Sequence, residues 1–133
     1  MQLIKKDAIL ELQEAIGKEP QFECPTKHVF IESQYIRQLF IPAGVLIVGK
    51  RHRHKTLNIL LKGKMLIHDG YKTVEVEAPY MVEAKEFTKK AGYAIEDSIW
   101  CNIHVTNETD LDRLEQEFII TEEDYQLLIE HKD

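Results

Sequence analysis

Between residues 34 and 106 apolar and polar positions alternate in short runs, each ending at a glycine, a proline or a polar cluster. Side chains of an extended chain point alternately to its two faces, so this period of two predicts half-buried β-strands. The runs cover residues 35–41, 45–54, 56–61, 64–67, 72–76, 80–83, 88–95 and 99–106. About eight strands at that spacing, joined by polar turns, predict an all-β sandwich or barrel. Asp69-Gly70 sits between two of the runs, and the pair supplies the positive φ angles of a tight hairpin. At both ends the period lengthens. Ile9, Leu12 and Ile16, followed by Gly17, predict a short amphipathic helix over residues 7–16, and Pro20 and Pro25 then impose an extended connector. Leu111, Leu114 and Phe118 predict a helical turn or two, and Thr121-Glu122-Glu123-Asp124 opens a last helix carrying Tyr125, Leu128 and Ile129 on one face. The expected layout is a single domain over residues 1–133: helix and connector to residue 25, barrel over 28–106, helical tail over 107–133.

One stretch concentrates chemistry. Residues 49–63, G-K-R-H-R-H-K-T-L-N-I-L-L-K-G, carry two histidines and several cations between two glycines. Read as one extended segment, it points Lys50, His52, His54, Thr56 and Asn58 to the same wall. Later in the chain, Trp100, Asn102 and His104 share one face of another predicted strand.

Composition narrows the classes of function. The chain has 133 residues, 44% of them hydrophobic, enough for one buried core. Its net charge of −6 argues against sequence-independent nucleic-acid binding, which needs a basic surface to displace counterions from phosphates. No apolar run is long enough to span a bilayer, and residues 1–6 do not read as a secretory signal, so no membrane association is expected and the expected location is cytoplasmic. Cys24 and Cys101 lie far apart with no C-x-x-C pair, which predicts two reduced thiols.

His52-Arg53-His54 followed by an apolar run and Gly63 resembles the first motif of the cupin superfamily, H-x-H, a glutamate and a closing glycine. The resemblance implies a small jelly-roll β-barrel. This sequence departs from the motif: Thr56 or Asn58, depending on register, stands in the glutamate position, and in the second motif Lys90 falls where the family has a histidine. Residues 92–97 with Trp100, His104, Asp110 and Glu115 resemble a group of small cupin-like proteins of bacteriophages and prophages, a likeness that implies a phage setting and no particular reaction.

Two uses of such a barrel follow. In the first, lysines in place of ligands make a cationic pocket for a small anionic ligand, a carboxylate, phosphate or nucleotide-like group. Lys50, His52, His54, Thr56, Asn58, Lys90, Asn102 and His104 would line it, with Tyr93 or Trp100 stacking on a ring. In the second, His52, His54 and His104 hold a divalent transition metal for an isomerase or dioxygenase type of reaction. A third reading makes the barrel a scaffold for interaction. The alternative to the cationic pocket is that Lys50, Arg51, Arg53, Lys55, Lys89 and Lys90 are solvated charges at strand ends; the acidic faces of the C-terminal helices are expected to be solvated, and their apolar stripe is the expected contact of a homo-oligomer.

Overall fold

The computed structural model describes residues 8–18 and 22–130, so the expectations for Asp7 and Pro20 lie outside the described residues. Nine strands follow the first helix: α1 (Ala8–Ile16), β1 (Thr26–Ile31), β2 (Gln34–Ile41), β3 (Leu46–Val48), β4 (Thr56–Lys62), β5 (Lys64–His68), β6 (Thr73–Glu77), β7 (Tyr80–Ala84), β8 (Ala91–Ala94) and β9 (Ser98–Val105). Helices α2 (Leu111–Phe118) and α3 (Glu122–Glu130) close the chain. The strands form a five-stranded sheet, β1-β2-β9-β4-β7, and a four-stranded sheet, β3-β8-β5-β6, antiparallel throughout and arranged as a jelly roll.

Register sorts the space between the sheets into layers. In the five-stranded sheet Ile41 lies opposite Ser98, and the next layer aligns Leu39, Trp100, Leu60 and Tyr80 across four strands. Leu39, Ile41 and Leu60 meet Met65, Ile67, Val76 and Ala94 of the other sheet, and together they form the main apolar core. Two residues further along each strand the inward positions turn polar: Arg37, Asn102 and Asn58 align in one row. A further two bring Tyr35 opposite His104, and there α2 packs, with Leu114 and Phe118 buried against Tyr35. Apolar closure at one end and polar lining at the other leave a container with one working end.

Two turns explain why the strands connect as they do. Asp69 accepts hydrogen bonds from the amides of Tyr71 and Lys72, and Gly70 at φ 100° completes the β5–β6 hairpin that the Asp-Gly pair predicts. Gly63, at φ 95°, lets β4 reverse into β5 directly against residues 97 and 98. A Cβ there would lie 2.3 Å from Ser98 Oγ and 2.5 Å from the Asp97 carbonyl oxygen, so only glycine fits.

The segment over residues 50–58 is not the single strand that alternation predicts. The chain bends at Arg53 and His54, and β4 begins only at Thr56. The cause is a competing set of backbone partners. The Arg53 amide donates to the Phe118 carbonyl, the Ile120 amide donates to the Arg51 carbonyl, and the Phe87 amide donates to the His52 carbonyl. This segment is thereby stitched to the C-terminal tail and to the loop after β7. Arg51 and Lys89 are also not solvated, being 5% exposed each. Glu122 receives both, from Arg51 Nε at 3.3 Å and Lys89 Nζ at 3.2 Å, while the Arg51 guanidinium lies 4.0 Å from the centre of the Tyr125 ring and donates to the Phe87 carbonyl. A pair of cations under α3 thus anchors that helix to the jelly roll.

Candidate functional site

The polar end of the jelly roll holds an inner cavity of about 90 Å³. Its apolar side is built from Leu39, Ile47, Met65, Ile67, Ala84 and Gly92; its polar side is Arg37, His52, Thr56, Asn58, Lys90 and Asn102, with Trp100 between. A wider vestibule of about 530 Å³ opens from it and shares Arg37, Lys50, His52 and Asn102, adding His28, Tyr35, His104 and the α2 residues Leu114 and Phe118.

Seven of the ten residues expected to line the pocket border the inner cavity: Lys50, His52, Thr56, Asn58, Lys90, Trp100 and Asn102. His104 borders the vestibule beside His52. The other two are placed elsewhere. Bending at residues 53–54 breaks the alternation and leaves His54 exposed, edge-on to Phe118 at 6.3 Å. Tyr93 is 40% exposed, because its neighbours Gly92 and Ala94 take the inward positions of β8. Lys50 reaches the rim, yet its ammonium is paired with Glu115 of α2. The charge that pattern reading missed is Arg37. Its signal was available: Tyr35, Leu39 and Ile41 mark the inward face of β2, and Arg37 is the one charged residue in that period.

Arg37 and Lys90 are the charges that matter inside. Among the described residues neither has an ion-pair partner, and no carboxylate lines the inner cavity. Lys90 sits 5.7 Å from the Trp100 ring centre, and burial lowers its pKa while the charge of Asp69 opposes that. Trp100 Nε1 donates to Asn102 Oδ1 at 3.1 Å, which fixes the amide beside Arg37. Asn58 is buried with no side-chain hydrogen bond among the described residues.

The imidazoles form the other half of the site. His52 and His104 stack with ring centres 5.5 Å apart and planes 12° apart, and His104 also stacks on Tyr35 and Phe118. Burial first, then Arg37 and Lys90, push the His52 pKa from 6.5 to about 4. His104 falls to about 4 through burial, His52, Arg37 and His54. Both are therefore neutral at pH 7. Among the described residues His52 Nδ1 has no hydrogen-bond partner, which leaves an open, buried polar position at the cavity wall.

The expected metal set does not assemble in this geometry. With His54 outside, no group of three or more His, Cys, Asp or Glu side chains among the described residues is placed to hold a metal ion. Cys24 and Cys101 are free, as expected, and burial raises both thiol pKa values. Among the described residues no helix is long and apolar enough to cross a membrane.

The arrangement is that of a cupin-like double-stranded β-helix, and solved structures bear this out. The chain is similar to a conserved protein with a double-stranded β-helix domain from Klebsiella pneumoniae, with a TM-score of 0.57 and 13% identity over 70% of this chain and 85% of that one. A cupin superfamily protein from Desulfitobacterium hafniense aligns with a TM-score of 0.54 and 9% identity, covering 79% of this chain and 93% of that one. KdgF from a Halomonas species aligns with a TM-score of 0.53 and 15% identity, covering 64% of this chain and 79% of that one. No protein-family model and no curated protein sequence matches the chain. Its structural neighbours are thus cupin-superfamily proteins, and at these identities the likeness is one of fold.

Proposed function

We propose that the protein binds a small organic anion in the polar end of its barrel. The observation that carries this reading is the pair of cations, Arg37 and Lys90, facing a cavity that no carboxylate lines among the described residues. Both are half-buried, and positive charge drawn partly out of water is costly unless compensated; a bound anion supplies the compensation. Arg37 presents a planar fork suited to a carboxylate or phosphate, and Asn102 on β9 and then Asn58 on β4 continue its row. His52 Nδ1 adds one further hydrogen-bonding position.

Size divides the ligand in two. An inner cavity of about 90 Å³ suits an anionic head with a short apolar part, and the vestibule of about 530 Å³ leaves room for a larger body against His104 and Tyr35. A nucleotide-like molecule and a compact organic acid both satisfy that description. In the phage setting that the sequence resemblance implies, such a protein would sequester or sense a host metabolite or signal. The metal-enzyme reading lacks a third His, Cys, Asp or Glu beside His52 and His104 among the described residues.

The test is isothermal titration with a panel of short-chain carboxylates, phosphorylated sugars and nucleotides against the protein and its Arg37→Met and Lys90→Met variants. Binding by the parent chain that weakens at least tenfold in each variant, with the circular dichroism spectrum retained, supports the reading. A folded parent chain that binds no anion on the panel refutes it and leaves the scaffold role.

A further inference from the structure

Two adjacent lysines before β8 have opposite surroundings. Lys89 is buried, and its ammonium meets Glu122 Oε1 at 3.2 Å. Lys90 borders the inner cavity instead, with no ion-pair partner among the described residues. Its backbone is held on both sides: the Gly49 amide donates to the Lys90 carbonyl at 2.9 Å, and β8 begins at the next residue, Ala91, paired with Val48 and His68. Its Nζ lies 5.7 Å from the centre of the Trp100 ring, and its charge reaches His52. Asp69, the acid whose charge reaches Lys90, is committed to the β5–β6 turn through the amides of Tyr71 and Lys72. Burial at this wall favours the neutral amine over the ammonium. A lysine that is unpaired, partly desolvated and set at a cavity wall near another cation has the surroundings that make an amine nucleophilic.

We propose that Lys90 captures short 2-oxo acids as a reversible imine. The inference rests on the anion-binding reading, in which Arg37 holds the carboxylate. Arg37 lies on β2 of the five-stranded sheet and Lys90 at the head of β8 in the four-stranded sheet, so the two border the cavity from different sheets. A short acid pinned at its carboxylate by the guanidinium presents its carbonyl carbon to the other wall. The steps balance without a co-reactant. The ammonium releases a proton to water, and the Nζ lone pair forms a bond to the carbonyl carbon while the π pair moves to oxygen. A proton passes from nitrogen to that oxygen and gives the carbinolamine. The hydroxyl then leaves as water with the remaining nitrogen proton, and C=N is formed. His52 Nδ1 and the Asn58 side chain, both without a hydrogen-bond partner among the described residues, border the same cavity and can hydrogen-bond the oxygen as it changes from carbonyl to hydroxyl. Water reverses each step, so the acid is released intact. An acid that lacks the carbonyl is held by charge alone.

Borohydride reduction of the full chain in the presence of pyruvate tests this. Reduction converts the imine to a stable secondary amine, so intact mass spectra of the parent should show a gain equal to the acid less one oxygen atom. Peptide fragmentation should place that gain on Lys90, a result that depends on no variant folding. Lys90→Arg keeps the charge and should lower the adduct at least tenfold, while lactate, which has no carbonyl carbon to attack, should leave none in either protein. In titration the parent should prefer pyruvate to lactate by about tenfold, and Lys90→Arg should lose that preference. An adduct spread over other lysines, or undiminished in folded Lys90→Arg, overturns the proposal. So does pyruvate binding without any adduct, an outcome that leaves the anion reading standing. Absence of binding to either acid, together with no adduct, removes both.

Discussion

Acid should weaken this fold through the stacked imidazoles, and the size of the effect follows from their surroundings. His52 and His104 take up a proton near pH 6.5 in the unfolded chain and only near pH 4 when buried beside each other, Arg37 and Phe118. Between those values the unfolded state binds more protons, so the stability present above pH 6.5 is lost as the pH falls toward 4. A gap of about 2.5 units at about 1.4 kcal/mol per unit is worth about 3 kcal/mol for each imidazole. Two such groups amount to a large share of the 5–15 kcal/mol that holds a typical domain together. Urea denaturation at intervals between pH 7 and 5, above the carboxylate range, should give a slope approaching about 2.7 kcal/mol per pH unit. His104→Phe keeps an aromatic ring in the stack between Tyr35, His52 and Phe118 and removes one of the two protons. Its slope should be about half that of the parent. Equal slopes in the two proteins would show that the imidazoles are not held neutral by burial, and the description of the site would fall with them.

Three other perturbations probe separate parts of the argument. Arg37→Met removes a positive charge that disfavours His52 protonation, so the His52 pKa should rise from about 4 toward 6.5, read from imidazole proton shifts by NMR. Gly63→Ala combines a left-handed backbone with a Cβ driven into Ser98 and the Asp97 carbonyl, and should cost about 2–5 kcal/mol in chemical denaturation. Glu122→Gln leaves Arg51 and Lys89 buried without their carboxylate; a loss of about 2–4 kcal/mol and faster hydrogen exchange in the α3 amides are expected.

The strands were legible because one of their faces is apolar, and the β5–β6 hairpin because Asp-Gly has few other uses. The glycine closing residues 49–63 was legible for the same kind of reason, since only glycine tolerates its conformation and its close approach. The fate of residues 50–55 was not. Local alternation favours an extended strand there, but the backbone of that segment is claimed by Phe118, Ile120 and Phe87, partners far away in sequence. His54 was displaced from the pocket as a result. Lys89 read as a surface charge because lysine is seldom buried, and only the third helix reveals the carboxylate that makes burial tolerable. Arg37 was overlooked for the opposite reason: attention fell on the histidine-rich stretch, while a single cation on an otherwise apolar strand face carried the stronger signal.

The entrance of the container is made by a different part of the chain from its walls. Leu114, Glu115 and Phe118 frame the opening, and the Arg51–Glu122 clamp keeps the tail that bears them in place. Substitutions in the tail would therefore retune which molecules are admitted while the strands beneath stay as they are. Diversity among proteins built on this plan should accumulate at the doorway sooner than in the room behind it.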